Sequence, residues 1–111
     1  MKWKWLGALL AAAAMLFAGV PLASAAPTGP EVFSEAGCTE CHTVKSKGIK
    51  LAPDGEFESD LSKVGVNHDK RWFAMLLLQK SKDDKGNEHK KKFRGEREAL
   101  KVLCIWLETL K

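Results

Sequence analysis

Residues 37–48, with the sequence GCTECHTVKSKG, place Cys38, Cys41 and His42 within a single five-residue stretch. Two thiols and an imidazole at this spacing suit four kinds of site: a disulfide, half of a zinc site, a thiol redox centre, or an attachment point for a prosthetic group. Each of these needs a different surrounding fold. The cluster therefore restricts what this chain can become more than any other feature of the sequence.

Three of the four interpretations lack support elsewhere in the chain. A zinc site needs a second pair of ligands at similar spacing, and neither Cys104 nor His68 and His89 supply one. A thioredoxin-like centre follows a strand in a βαβ unit, and strand patterns are nearly absent. A plain disulfide leaves His42 unexplained. The pattern Cys-x-x-Cys-His is instead typical of one covalently attached haem c, whose vinyl groups take the two thiols and whose iron binds His42.

The first 25 residues have the pattern of a secretory signal peptide. Two lysines open the chain, an apolar stretch follows over positions 5–20, and positions 23–25 form a small-residue cleavage site. The apolar stretch is shorter than the ~20 residues that a membrane-spanning helix needs. We therefore predict cleavage after residues 1–25, export to the periplasm, and a mature domain of residues 26–111 with no stable membrane span. Export also suits c-type haem attachment.

The charge of the mature chain is nearly balanced. Removing Lys2 and Lys4 with the signal peptide leaves 16 basic residues against 14 acidic ones. The high isoelectric point of the whole chain is thus weak support for a polyanionic partner. Nucleic acid is not expected to bind.

The spacing of apolar residues predicts three helices, over residues 30–36, 68–80 and 96–111. The connecting segments 43–66 and 80–95 read as irregular loops, which are long for a compact domain. Three helices leave a domain of this size short of core. The missing volume suggests a bulky cofactor.

Four side chains have assignments within these helices. Pro30 is expected in the first turn of the first helix, and Asn67 is expected to cap the second. Met75 lies in the apolar stripe of the second helix and is expected in the core. Cys104, between apolar positions of the last helix, is expected to be a buried, inert thiol, the other interpretation being a surface thiol that forms an intermolecular disulfide.

The mature chain resembles small class I c-type cytochromes over nearly its full length. The matching positions are Gly29 and Phe33 in the first helix, Gly37 before the attachment motif, and Leu103 and Trp106 in the last helix. The stretch DLSKVGVNHDKRWFAMLLL also resembles the pattern of a bacterial subgroup. The resemblance implies an all-α cytochrome c fold of three or more helices, with irregular loops around one haem, and electron transfer as its function.

The chain departs from that family on the distal side of the haem. Most members supply a loop methionine, usually in Met-Pro, whereas the only methionine of the mature chain is Met75 in a helix. At the corresponding place the chain has NEHKKKFRGE, with His89 four residues before Phe93. We therefore predict bis-histidine ligation by His42 and His89. Met75, His68, or no side chain at all remain the alternatives for the sixth position.

These features predict a periplasmic one-electron carrier rather than an enzyme. Replacing a methionine ligand by imidazole should lower the reduction potential, because methionine raises it. Lysines follow the attachment motif and surround the distal loop, so a redox partner with an acidic docking surface is expected. The alternatives are a haem-based ligand-binding or sensor protein with a displaceable sixth position, and a permanently bound subunit of a larger respiratory complex.

Overall fold

The computed structural model describes residues 26–111, so the predicted signal peptide, residues 1–25, lies outside the described residues. Its three helices are α1 (Gly29–Glu35), α2 (Lys70–Leu77) and α3 (Arg97–Glu108). Two short strands, β1 (His42–Thr43) and β2 (Ser59–Asp60), pair in parallel. Short 3₁₀ turns occupy Cys38–Glu40, Lys45–Lys47 and Val64–Val66. No helix within residues 26–111 is both long and apolar enough to cross a membrane.

Helix α1 begins where the sequence predicts. The side-chain oxygen of Thr28 accepts a hydrogen bond from the backbone N–H of Glu31, and Pro30 lies in the first turn, where its missing N–H costs no helical bond. The helix ends before Gly37, whose φ of +80° favours glycine because it has no Cβ. The chain therefore turns sharply out of α1 into the cysteine motif.

Helices α1 and α3 cross in close contact at Gly29. A Cβ atom at Gly29 would lie 2.1 Å from Cβ of Trp106, so only glycine permits this approach. The ring of Phe33 packs edge-on against the same indole, with ring centroids 5.5 Å apart. Leu103, one helical turn before Trp106, is fully buried. The residues that carry the family resemblance at the two ends of the domain thus pack together.

The buried core of the described residues is small. Its hydrophobic members come mainly from α1 and α3 and are Val32, Phe33, Val44, Phe73, Leu100, Leu103, Cys104, Leu107 and Leu110. The buried side chain of Cys104 confirms its predicted core position. Partly buried apolar residues from the loops, among them Ile49, Leu61 and Phe93, pack against this core.

Helix α2 differs from its prediction in two respects. It spans Lys70–Leu77 rather than residues 68–80, and its N-cap is Asp69, whose carboxylate accepts the N–H of Trp72, so the predicted cap at Asn67 is wrong. Met75 is 39% exposed, so its predicted place in the core is also wrong. Successive helical residues turn by about 100°, so Met75 lies nearly opposite the buried Phe73, which faces the core.

Segment 43–66 takes part in a strand pair that the sequence does not predict. Its strand pair sets His42 opposite Ser59 and Thr43 opposite Asp60. The carboxylate of Asp60 accepts hydrogen bonds from the Thr43 hydroxyl and the N–H of Lys45, both at 2.9 Å. These bonds join two stretches that are far apart in the sequence, so no local sequence pattern predicts them.

Candidate functional site

The two cysteines of the attachment motif lie one 3₁₀ turn apart. The N–H of Cys41 donates to the carbonyl of Cys38 at 3.2 Å, which closes the turn. Both cysteines are half-buried and neither forms a disulfide. The spacing Cys-x-x-Cys therefore places two free thiols at the two ends of one short turn.

The thiol of Cys38 does not have the electrostatics of a redox-active nucleophile. Burial is the main cause that raises its pKa from 9.0 to about 11, with the neighbouring Cys41 adding a smaller rise. Reactive cysteines of disulfide oxidoreductases have lowered pKa values. This environment does not favour the thiol redox interpretation of the motif.

His42 is oriented by the strand that pairs with it. Its Nδ1 lies 3.1 Å from both the backbone carbonyl and the hydroxyl of Ser59. A carbonyl oxygen can only accept, so Nδ1 carries the proton and Nε2 keeps its lone pair. Burial is the main cause that lowers the pKa of His42, which favours the neutral ring. A neutral imidazole with a tethered Nδ1 is the form that binds metals.

A second segment follows the motif and fixes its backbone. The N–H groups of Ala52, Glu56, Glu58 and Leu61 donate in turn to the carbonyls of Thr39, Glu40, Cys41 and Thr43, at 2.7 to 2.9 Å. The approach is close at Gly55, where a Cβ would lie 2.7 Å from the carbonyl oxygen of Glu40. The proximal segment, residues 37–61, is thus held largely by main-chain hydrogen bonds.

His89 lies in the distal segment, residues 79–95, which connects α2 to α3 without regular structure. Its Nδ1 lies 2.6 Å from the carbonyl of Lys91, so here too Nδ1 carries the proton. Its own carbonyl accepts a hydrogen bond of 2.7 Å from the side-chain amide of Gln79. Backbone and ring of His89 are therefore both tethered.

The structure brings His42 and His89 together, although 46 residues separate them in the sequence. Their ring centroids lie 6.2 Å apart and their planes differ by 23°. Neither Nε2 makes a hydrogen bond to another residue in the part of the chain that the structure describes. Two imidazoles thus lie near each other, and the Nε2 atom of each is not used in a hydrogen bond within the described residues.

The separation of the two rings matches that of two imidazoles on one haem iron. An imidazole nitrogen binds a metal at about 2 Å, and its ring centre lies about 1 Å further out, so two imidazoles on one iron have centroids about 6 Å apart. Within residues 26–111, no group of three or more His, Cys, Asp or Glu side chains is arranged to hold a metal ion. Haem needs only two axial ligands from the protein, whereas a structural zinc site needs four.

The other two candidates for the sixth ligand are differently placed. The ring of His68 stacks on Trp72 with centroids 3.5 Å apart, and its Nε2 is hydrogen-bonded to the carboxylate of Asp84 at 2.8 Å. The coordinating nitrogen of His68 is therefore already in use. Met75 lies on the exposed side of α2. Neither residue shares the geometry of His42 and His89.

Two ion pairs connect the distal segment to the proximal one. Lys90 pairs with Glu58, and Lys91 pairs with Glu40 between the two cysteines. The hydrogen bond from Lys90 is the main cause that lowers the pKa of Glu58. Both pairs are exposed, so each contributes little to stability, but together they set the distal segment against the attachment motif.

Two openings flank the same segment. A cavity of about 820 Å³ lies between the end of α1, the start of α3 and residues 90–96, and a smaller one of about 410 Å³ lies beside Cys41. Lys91 borders both of them. The larger cavity is lined by neither the cysteines nor the two facing histidines, so it lies beside the candidate site.

Sequence reasoning missed the residues that orient His42 and His89. Ser59 holds His42 and Gln79 holds His89, and neither lies in a motif. The ion partners of Lys90 and Lys91 were missed for the same reason, since they depend on how two distant loops meet. The run of lysines at positions 90–92 can be read directly from the sequence.

No protein-family model, no curated protein and no solved structure matches this chain. The function of the site is therefore inferred from its own residues and their geometry.

Proposed function

We propose that residues 26–111 form a c-type cytochrome domain that carries one electron at a time. Cys38 and Cys41 tether the haem covalently, and His42 and His89 are its axial ligands. One observation carries the proposal: two imidazoles with centroids 6.2 Å apart, each with Nδ1 bonded to a backbone carbonyl and Nε2 unused. The two free thiols of Cys38 and Cys41, next to His42 in the sequence, support the covalent link.

The bound haem supplies a one-electron ferric–ferrous couple. The chain supplies the environment that tunes it. Hydrogen bonds from Nδ1 of His42 and His89 to carbonyls make each imidazole a stronger donor. Two imidazoles in place of imidazole and methionine favour a low reduction potential. If His42 and His89 both held the haem iron, the protein would leave no coordination position open for a substrate, and we therefore propose a carrier rather than an enzyme.

The proposed setting is the periplasm, as the export pattern of residues 1–25 suggests. The proposed partners are redox proteins with acidic docking surfaces. Support comes from the lysines around the site, although Lys90 and Lys91 already pair with Glu58 and Glu40. Lys45 lies 6.0 Å from the ring centre of the exposed Phe57, so basic and apolar groups meet at one edge of the proximal segment.

Absorption spectroscopy of the haem-loaded protein tests this function. We expect low-spin spectra in both oxidation states, no far-red methionine–iron band, and a ferrous spectrum that carbon monoxide does not change quickly. His89→Ala should convert the iron to a high-spin form that binds carbon monoxide readily. The matched controls His68→Ala and Met75→Leu should keep the wild-type spectrum. Rapid carbon monoxide binding by the wild type would instead support the sensor alternative.

A further inference from the structure

Gln79 has an unusual backbone conformation at the end of α2. Its φ is +58°, and it is the one residue other than glycine with positive φ in the described range 26–111. The left-handed region is favourable for glycine and tolerated by asparagine, whereas a glutamine there is strained. A strained residue next to a candidate site points to a role for its side chain.

The hydrogen bonds around Gln79 identify the turn. Its N–H donates to the carbonyl of Leu76 at 3.0 Å, and the N–H of Lys80 donates to the carbonyl of Met75 at 2.9 Å. These two bonds define the Schellman motif that ends many helices, with Gln79 at the position where glycine is usual. The turn by itself would be satisfied better by glycine.

The side chain of Gln79 makes a hydrogen bond that glycine could not make. Its part-buried amide donates a 2.7 Å hydrogen bond to the backbone carbonyl of His89. Four residues further along the chain, the N–H of Phe93 donates to the carbonyl of Leu77 at 2.8 Å. Between these points, Lys90 and Lys91 form exposed ion pairs with Glu58 and Glu40, and the Lys91 carbonyl accepts the hydrogen bond from the His89 ring. The end of α2 is thus the anchor of the segment that carries His89.

We propose that Gln79 is a positioning residue for the distal axial ligand. Its amide holds the His89 carbonyl, so that the imidazole is kept in place when the haem is bound. This inference rests on the proposed function, since it takes His89 as an iron ligand. Gln79 then slows the dissociation of His89 from the iron.

Ligand replacement in the haem-loaded protein tests the proposal. The probe is carbon monoxide binding to the ferrous haem, measured at saturating concentration, where the rate is limited by departure of the distal ligand. Gln79→Glu keeps the size of the side chain and removes its N–H donors, and Gln79→Gly removes the side chain and relaxes the turn. Both should raise the limiting rate by about fivefold, the value of one net hydrogen bond. Urea unfolding of Gln79→Gly should show a free energy of unfolding no lower than that of the wild type.

Asp84→Ala is the matched control, because it removes a different side-chain bond of the same segment, the one to His68. It should leave the limiting rate unchanged. Wild-type rates in both Gln79 variants would overturn the role of Gln79 while leaving bis-histidine ligation intact. An equal rise in Asp84→Ala, or a rise in Gln79→Gly together with weaker folding, would also overturn it by showing general loosening. A wild-type spectrum that His89→Ala does not change would overturn the proposed function itself.

Discussion

The two segments that supply the candidate axial ligands are built in different ways. The proximal segment, residues 37–61, is held by a strand pair and by successive main-chain hydrogen bonds from residues 52–61 to residues 39–43. The distal segment, residues 79–95, makes fewer main-chain hydrogen bonds to the rest of the domain, among them that from Phe93 to Leu77, and relies also on side chains: the amide of Gln79, the carboxylate of Asp84, and two exposed lysines. The first is a rigid platform, whereas the second depends on a few replaceable contacts.

This contrast suggests a division of labour. A covalent attachment needs the thiols and His42 in fixed positions, and main-chain bonds supply that regardless of most substitutions. The position of His89 can instead be tuned by single side chains, because the amide of Gln79 holds its backbone carbonyl. Mutations in the two segments should therefore have different consequences.

The largest effect is expected at the cysteines of the proximal segment. The double variant Cys38→Ser and Cys41→Ser should lose covalent haem almost completely, since no other thiol lies in the motif. Haem staining after denaturing electrophoresis measures it. Cys104→Ser is the control and should retain full covalent haem, because Cys104 lies on α3 and is buried in the hydrophobic core. Covalent haem in the double variant would contradict the attachment proposed here.

A methyl group at Gly55 should test the rigidity of the platform. A Cβ there would lie 2.7 Å from the carbonyl oxygen of Glu40 and 2.9 Å from the side chain of Leu51. Because backbone must move to make room, Gly55→Ala should lower the free energy of unfolding by about 1–3 kcal/mol. Urea denaturation checks it, and an unchanged midpoint would show that the two stretches are not tightly packed.

The corresponding glycine substitution in the distal segment should lower the free energy of unfolding by a smaller amount. Gly86 has φ of +83° but nothing lies within 4 Å of its would-be Cβ. Gly86→Ala should therefore lower the free energy of unfolding only by the backbone strain, about 1 kcal/mol. The same urea measurement compares the two glycines directly. A larger loss at Gly86 than at Gly55 would reverse the contrast between the segments.

The smallest effect is expected at the ion pair of Lys91 with Glu40. The pair is exposed, so Lys91→Ala should lower the melting temperature slightly at low salt and not at all at high salt, where the attraction is screened. Lys92→Ala is the control, because Lys92 forms no ion pair in residues 26–111. A loss at Lys91 that persists in high salt would mean that the pair does more than surface attraction explains.

Local patterns in the sequence predicted the three helices, although the bounds of the second were too wide. Helix α3 has apolar residues at three- and four-residue steps, and the first turn of α1 is marked by Pro30. The cap of α2 was misplaced because Asn67 and Asp69 both suit an N-cap, and packing decides between them. The exposure of Met75 could not be foreseen without knowing which side of α2 meets the core.

The rest of the site depends on where distant segments meet. Ser59 opposite His42, and Gln79 beside His89, follow from the path of two loops rather than from any short pattern. The left-handed conformation of Gln79 is contrary to its own preference, so no propensity would predict it. His89 itself could be proposed from its position between α2 and α3, but its distance to His42 could not.

The central claim is that one iron lies between His42 and His89, and electron paramagnetic resonance of the ferric, haem-loaded protein tests it most directly. The imidazole planes differ by 23°. Near-parallel imidazoles predict a rhombic low-spin spectrum with three resolved g values and hyperfine couplings from two histidine nitrogens, one of which His89→Ala should remove. A high-spin wild-type signal, or two histidine couplings that survive in His89→Ala, would contradict the claim.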